Sequence, residues 1–162
     1  MNKKYKLTDE TKEVNGIILH RIECVTAFDD IPSGKKGGWV ESEKNLSQQN
    51  NAWILHNAEV YGNAQVYGNA QVYGEAEVYG NAKVYENAKV YENAKVCGNA
   101  KVRGNAQVYG EAEVYDEAEV YGNAQVYGEA KVRGNAQVYG EAKVRGNAKV
   151  YGEADYIVFK NW

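Results

Sequence analysis

The residues able to do acid–base or nucleophilic chemistry are few and scattered along the chain. The 162 residues include two histidines, His20 and His56, and two cysteines, Cys24 and Cys97. The two cysteines do not form a Cys-x-x-Cys motif, so the sequence predicts neither a zinc site nor a disulfide framework. General acid–base catalysis needs such a group beside a bound substrate, and nothing in the sequence pairs either histidine with a second catalytic residue. We therefore expect no enzyme activity, no metal site and no cofactor.

Carboxylates and glycines are numerous, but both follow a regular spacing that differs from known catalytic motifs. The glycines recur six residues apart, without a Gly-x-Gly-x-x-Gly segment or a P-loop. Carboxylate pairs are a product of the same period, so their proximity carries little information about acid–base catalysis.

Composition excludes several other classes of protein. The chain has 19 Lys and Arg against 22 Asp and Glu, a net charge of -3, which is too weak and of the wrong sign for general nucleic-acid binding. No apolar run approaches the roughly 18 residues of a membrane span, and no hydrophobic segment follows the first four residues. We expect a cytoplasmic protein that binds neither membrane nor nucleic acid directly.

A six-residue repeat, Asn-Ala-x-Val-Tyr-Gly, organises the chain from residue 51 to residue 158. Valine stands at every sixth position from Val60 to Val150, preceded by Ile54 and followed by Tyr156, which makes eighteen hexapeptides without an insertion. Ala and Val point to one side of an extended segment, and the residues between them point to the other. Gly and Asn tolerate positive φ and predict a corner after each short strand. The fold class is therefore all-β, a stack of parallel coils.

The corner sequences predict that one permissive residue per corner is enough. Glu86 and Glu92 replace Gly, but Asn follows each of them. Asp116-Glu117 has neither Gly nor Asn, so we expect Asp116 to adopt the left-handed conformation and the structure to be locally irregular there.

The spacing of Val and Ala resembles the hexapeptide-repeat left-handed parallel β-helix superfamily, best known from trimeric acyltransferases. This resemblance implies three hexapeptides per coil, hence about six three-sided coils and a length of roughly 29 Å. Tyr after most of the valines departs from those enzymes, which usually place a small or acidic residue there. The enzymes also bind acyl-CoA with loops and a histidine that have no counterpart here. The sequence looks closest to the Asn-Ala-x-Val-Tyr-Gly repeat proteins of bacteria and prophages, and residues 36–48 resemble the leader of that group.

Residues 1–50 lie outside the repeat and predict a cap. Lys3 to Val14 and Ile17 to Val25 flank Asn15-Gly16, as in a β-hairpin with a type I′ turn. Leu46 and Gln48 share the phase of Ala52 and Ile54, so the solenoid can begin one degenerate repeat early. An open solenoid end exposes apolar core and unpaired backbone, which a hairpin would cover.

Residues 159–162 form the third predicted segment. Phe159 and Trp162 there, with Ile157 and Val158 before them, predict a plug for the other end of the solenoid. The alternative is that Phe159 and Trp162 form an interface.

Residues eighteen apart should stack in columns along each face of the coil. One column contains Tyr73, Tyr91, Tyr109 and Tyr127 and ends at Arg145; it is the least interrupted and our preferred partner-binding surface. A second contains Cys97 among tyrosines, and in a third Arg103 stands between Tyr85 and Tyr121. The alternative is that stacked aromatics and cation–π contacts stabilise the fold alone.

An acidic group is the second candidate for a partner surface. It contains Glu111, Glu113, Asp116, Glu117 and Glu119, while the last coils are basic. A solvated surface explains both groups most simply, and a partner site is the alternative.

These observations favour a non-enzymatic β-solenoid that binds a protein partner. The resemblance adds a narrower hypothesis, in which a phage- or prophage-encoded protein binds and inhibits a host factor such as a defence component. The alternatives are self-assembly into trimers or filaments through faces or ends, giving a homo-oligomer, and a degenerate hexapeptide-repeat acyltransferase.

Overall fold

The computed structural model describes residues 3–151, in which strands and turns are accompanied by one short 3-10 helix and no α-helix. Strand β1 (Tyr5–Val14) pairs antiparallel with β2 (Ile17–Cys24). The turn between them has φ of 52° at Asn15 and 81° at Gly16, and positive φ at both central residues defines a type I′ turn. The predicted hairpin is confirmed. No helix within this range is long and apolar enough to cross a membrane.

Strand β3 (Lys36–Val40) joins the hairpin to the repeat array, because it pairs antiparallel with β2 and parallel with β5. The 3-10 helix follows at Glu43–Asn45. Strands β4 to β20 are two residues long and occupy, in order, Trp53–Ile54, Glu59–Val60, Gln65–Val66, Gln71–Val72, Glu77–Val78, Lys83–Val84, Lys89–Val90, Lys95–Val96, Lys101–Val102, Gln107–Val108, Glu113–Val114, Glu119–Val120, Gln125–Val126, Lys131–Val132, Gln137–Val138, Lys143–Val144 and Lys149–Val150.

Each short strand pairs in parallel with the strand eighteen residues away, so the chain winds into a solenoid of about six coils. Three faces result, named here by one residue each. The Tyr91 face contains β4, β7, β10, β13, β16 and β19; the Cys97 face contains β5, β8, β11, β14, β17 and β20; the Arg103 face contains β6, β9, β12, β15 and β18. The all-β, parallel solenoid expected from the six-residue period is confirmed, and so are the three hexapeptides per coil implied by the family resemblance.

The core consists of the inward-pointing Ala and Val of each repeat. From Ala52 to Val144 these side chains are at most 2 % exposed. Valine stacks on valine in register, as in Val90 with Val108. The hairpin fills the N-terminal end with larger side chains, including Tyr5 and Ile22, which belong to the same core cluster. It therefore covers apolar surface that an open coil would leave in water.

The first coil begins earlier than the repeat. Trp39 pairs with Glu59, and Leu46 forms a bridge with Val66. Leu46 thus occupies the position of a valine in the repeat. The expectation that Leu46 occupies the position of an alanine, in phase with Ala52, is wrong. Two extra residues between Leu46 and Ile54 account for the shift. The stacking includes part of the segment that the sequence assigned to the cap. The predicted plug at 159–162, with residues 152–158 before it, lies outside the described residues.

The left-handed conformation always falls on the first residue of a corner. It is found at Glu86 with φ of 61° and at Glu92 with 59°, even though Asn follows each of them. The prediction that one permissive residue anywhere in the corner suffices is therefore wrong. Stacked coils share one backbone path, so the same position must turn in every coil.

Carboxylates at these positions accept a backbone hydrogen bond from the next coil. Glu86 Oε2 lies 2.6 Å from the Gly104 nitrogen, and Glu92 Oε2 lies 2.8 Å from the Gly110 nitrogen. Asp116, with φ of 62°, accepts from Gly134 at 3.1 Å. The strands on both sides of Asp116 keep their register. The predicted left-handed Asp116 is confirmed, and the predicted irregularity is wrong.

A buried lysine ties the hairpin to the first coil. Lys4 is 5 % exposed, and its Nζ donates to the carbonyl oxygens of Ala52 at 2.7 Å, Asn50 at 3.3 Å and Gln49 at 3.4 Å. Burial lowers the pKa of Lys4 to about 8. The three carbonyls share the ammonium and replace the water that it loses.

Candidate functional site

The Tyr91 face brings the predicted tyrosine column together as a continuous stack. Ring centroids are 4.8 Å apart between Tyr73 and Tyr91, 4.9 Å between Tyr91 and Tyr109, and 4.9 Å between Tyr109 and Tyr127, with planes within 6° of parallel. Arg145 follows in the same column, because β19 pairs in register with β16. Its side chain is exposed. The four tyrosines are half-buried, so each ring gives one edge to solvent.

Glutamines beside this column hold the phenol groups in place. The Tyr91 hydroxyl donates to Gln107 Oε1 at 3.1 Å, and the Tyr109 hydroxyl donates to Gln125 Oε1 at 3.5 Å. Burial, followed by the neighbouring tyrosines, raises the pKa of Tyr91 to about 12. Tyr91 therefore stays neutral well above pH 7, and the stacked rings are held in fixed positions.

The Tyr91 face carries positive charge and no carboxylate on its described strands. The outward residues before each valine are Gln71, Lys89, Gln107, Gln125 and Lys143. Carboxylates stand instead at the corner shared with the Cys97 face, at Glu75, Glu92, Glu111 and Glu129. The face is aromatic and mildly basic, with an acidic edge.

The other two columns are interrupted. On the Arg103 face, Arg103 lies 4.2 Å from the Tyr121 ring centroid and 3.7 Å from the Glu119 carboxylate. On the Cys97 face, Arg133 lies 4.6 Å from the Tyr151 ring. The cation–π contact predicted at Arg103 is present, and Arg133 makes the same kind of contact, so both arginines are accounted for without a ligand.

The structure does not bring the predicted acidic group together on one surface. Glu111 stands at one corner, Glu113 on the Cys97 face, Asp116 and Glu117 at the next corner, and Glu119 on the Arg103 face. Several already have partners. Glu113 lies 3.9 Å from Lys131, and Glu117 accepts from Asn99 at 2.7 Å. Residues close in sequence are wound around the coil, so the group forms no single acidic patch.

The two histidines occupy structural positions. His20 Nδ1 lies 3.2 Å from the Thr8 carbonyl oxygen in the hairpin. His56 holds a corner with φ of 59°, and its Nδ1 accepts from the Gly74 nitrogen at 3.3 Å. Within residues 3–151, no group of three or more His, Cys, Asp and Glu side chains is placed to hold a metal ion.

Two cavities escaped the reasoning from sequence. One, of about 520 Å³, lies beside the 3-10 helix and is lined by Leu46, Gln65 and Tyr67 among others. The second, of about 220 Å³, lies where Cys97 replaces a tyrosine, between Tyr79 and Tyr115. The replacement was visible in the sequence, because Cys97 breaks the eighteen-residue recurrence of tyrosine. Its consequence for the space between the neighbouring rings was not.

Comparison with known proteins gives a weak relationship. No protein-family model matches the chain. The chain is similar to "Uncharacterized acetyltransferase YdcK" of Escherichia coli (strain K12), with 30 % identity over 60 residues, which cover 32 % of this chain and 18 % of that protein. The chain thus spans less than a fifth of the relative. This partial match and the β-solenoid both fit the hexapeptide-repeat superfamily that the sequence resembles.

Proposed function

We propose that this protein is a non-enzymatic binding module that uses its Tyr91 face to hold a protein partner. The observation that carries the proposal is the unbroken stack from Tyr73 to Tyr127, half-exposed and free of carboxylates on its own face. The role of these tyrosines and of Arg145 in binding is a prediction.

Two physical properties favour recognition by this face. The rings are already fixed by stacking and by glutamine, so a partner need not order them and loses less entropy on binding. On the described part of this face, the outward residues are those before each valine and those of the tyrosine column. Among them, only Lys89, Lys143 and Arg145 carry a formal charge. The preferred partner surface is therefore apolar or aromatic with an acidic rim.

The dimensions of the face limit how strongly it can bind alone. Four rungs at the observed 4.8 to 4.9 Å separate Tyr73 from Arg145, so the column is roughly 20 Å long. A face about 13 Å wide, four extended residues across, offers roughly 260 Å². A standard interface buries about 800 Å² per partner. A stable complex would need contacts beyond this face, and the adjacent acidic corner is the nearest source.

The test compares two matched pairs of tyrosines. Tyr91→Ser/Tyr109→Ser removes two rings of the Tyr91 face, and Tyr121→Ser/Tyr139→Ser removes a stacked pair, 5.1 Å apart, from the Arg103 face. Tagged proteins would be used to recover partners from cell lysate. We expect the first variant to lose a partner that the wild type and the second variant retain. Equal recovery with both folded variants would reject the Tyr91 face.

The narrower hypothesis is that the partner is a host factor, such as a defence component, inhibited by a phage- or prophage-encoded protein. It rests on the resemblance of the repeat alone. Self-assembly is the alternative for the same face, and light scattering on the purified protein distinguishes the two. A single oligomeric species that dissociates in Tyr91→Ser/Tyr109→Ser would favour self-assembly.

An acyltransferase is a second candidate, favoured by the name of the partial relative. The described array leaves no insertion between Val60 and Val150 that could form a loop over acyl-CoA. Thermal denaturation with and without acetyl-CoA tests it. We expect the same midpoint in both, whereas a concentration-dependent rise would support a transferase.

A further inference from the structure

The Cys97 face contains a column with one ring missing. Tyr61 and Tyr79 stack at 5.2 Å with planes 5° apart. The next coil carries Cys97, and the coil after it carries Tyr115, because β8, β11 and β14 pair in register. The thiol is much smaller than a phenol ring, and a cavity of about 220 Å³ occupies the remaining space.

The gap has the thickness of one stacked ring. Adjacent rings in the complete Tyr91 column are 4.8 to 4.9 Å apart. Tyr79 and Tyr115 occupy positions two coils apart, so the same spacing would place their rings about 10 Å apart. A flat ring midway would lie about 5 Å from each tyrosine. That separation is within the range at which aromatic rings attract each other.

We propose that this gap is a binding slot for one planar aromatic ring, the indole or phenol of a tryptophan or tyrosine side chain on a protein partner. The slot lies on a different face from the Tyr91 column, and it goes beyond the function proposed above.

Its size favours a side chain over a larger ligand. Pockets for drug-sized molecules enclose about 300–1,000 Å³, whereas the gap encloses about 220 Å³. One ring or two fused rings fit this space. Aromatic anchors inserted into small pockets are also a common source of affinity between proteins.

The charges at the opening favour a ring that donates a hydrogen bond. Lys95 and Glu113 line the cavity. Glu113 is 37 % exposed and lies 3.9 Å from Lys131, a loose contact that leaves carboxylate lone pairs for an indole N–H or a phenol O–H.

The thiol contributes shape to the slot. Burial is the main cause that raises the pKa of Cys97 above its usual range, and the neighbouring Tyr79 hydroxyl lowers it in part. A neutral, partly buried thiol is a poor nucleophile and a small, weakly polar surface. It suits the floor of a site for a ring.

The first experiment titrates the folded full chain with N-acetyl-tryptophanamide, followed by NMR of the tyrosine ring signals. We expect the signals of Tyr79 and Tyr115 to shift and to saturate with a dissociation constant of roughly 1 mM, as for a small ligand of this size. N-acetyl-leucinamide is the control for general apolar binding and should bind at least about tenfold more weakly. Equal binding of the two amides would overturn the proposal.

Two substitutions test the geometry in opposite directions. Cys97→Tyr completes the column and should abolish the shifts. Tyr91→Cys removes one ring between Tyr73 and Tyr109 and should create a second, similar slot. Circular dichroism establishes that both variants are folded. Undiminished binding by folded Cys97→Tyr, or no new site in folded Tyr91→Cys, would overturn the proposal. Adenosine binding more tightly than the tryptophan amide would overturn its assignment to a protein side chain.

Discussion

Glu92 combines a strained backbone with a compensating hydrogen bond, and substitutions can separate the two. Its φ is 59°, and its Oε2 lies 2.8 Å from the Gly110 nitrogen. The left-handed conformation costs a residue with a Cβ about 1–2 kcal/mol. A hydrogen bond typically contributes about 0.5–1.5 kcal/mol, and the low end applies here because the glutamate is exposed.

Three variants divide these contributions. Glu92→Ala keeps the strain and loses the bond, so it should be about 0.5–1 kcal/mol less stable than wild type. Glu92→Gly also loses the bond but recovers about 1–2 kcal/mol of strain, offset by about 0.4–1 kcal/mol of unfolded-state entropy. It should therefore be about 0.5–1 kcal/mol more stable than Glu92→Ala. Glu92→Gln keeps an acceptor oxygen and should lie between wild type and Glu92→Ala.

Urea unfolding followed by circular dichroism measures these differences as shifts of the midpoint at constant slope. Asn93→Ala is the control, since Asn93 is the second residue of the same corner and is not among the residues with positive φ. Its midpoint should stay close to that of wild type. If Glu92→Ala is as stable as Glu92→Gly, the strain at this corner is no larger than the entropic offset of about 0.4–1 kcal/mol, and the larger value assumed here is refuted. If Glu92→Gln matches Glu92→Ala, the hydrogen bond contributes nothing.

Three further predictions concern pH, the cap and the core. Burial raises the pKa of Tyr73, Tyr91 and Tyr109, to about 12 at Tyr91, above the 10.0 of an ordinary phenol. Their contribution to stability is therefore complete below pH 10 and lost between pH 10 and 12, so tyrosinate absorbance and loss of circular dichroism should appear together. Lys4→Met should cost about 1–3 kcal/mol in urea unfolding at pH 7, because buried carbonyls lose their donor. It should also abolish a rise in stability between pH 8 and 10.5, where the unfolded chain alone keeps the Lys4 proton. Val90→Ala and Val108→Ala should each cost about 2 kcal/mol. Their urea midpoints should agree, since the two side chains occupy equivalent positions in successive coils, and unequal midpoints would show that the coils are not equivalent.

The architecture was predictable because every repeat carries the same pattern of inward, outward and turn residues. The valine period, the alternation around it and the turn residues at Asn15-Gly16 all concern contacts between near neighbours or between identical units. Stacking in register of one repeat on another follows from that identity, so the tyrosine column of the Tyr91 face could also be predicted. Its role in binding could not, because a stack that stabilises the fold and a stack that binds a partner have the same sequence.

The features that could not be predicted from the sequence depend on the position of a residue within a coil. Asn87 tolerates positive φ better than glutamate does, yet Glu86 adopts the left-handed conformation. The stacked backbone fixes which position of the corner has positive φ. The phase of the first coil was predicted wrongly, because two extra residues between Leu46 and Ile54 interrupt the six-residue period. The acidic residues from Glu111 to Glu119 are adjacent in sequence and point in different directions around the coil. The space beside Cys97 depends on rings that lie eighteen residues away on either side.

The eighteen-residue register also governs how such a gene can change in length. Deletion of a single hexapeptide, for example residues 93–98, would place Tyr109 above Tyr85 instead of Tyr91 and would move each later side chain back to the preceding face. The core would survive, since alanine and valine recur in every repeat, but the surface would be reassigned. Only the gain or loss of three repeats together preserves each column. Slippage during DNA replication can therefore extend or shorten this protein one whole coil at a time while conserving the pattern on its faces.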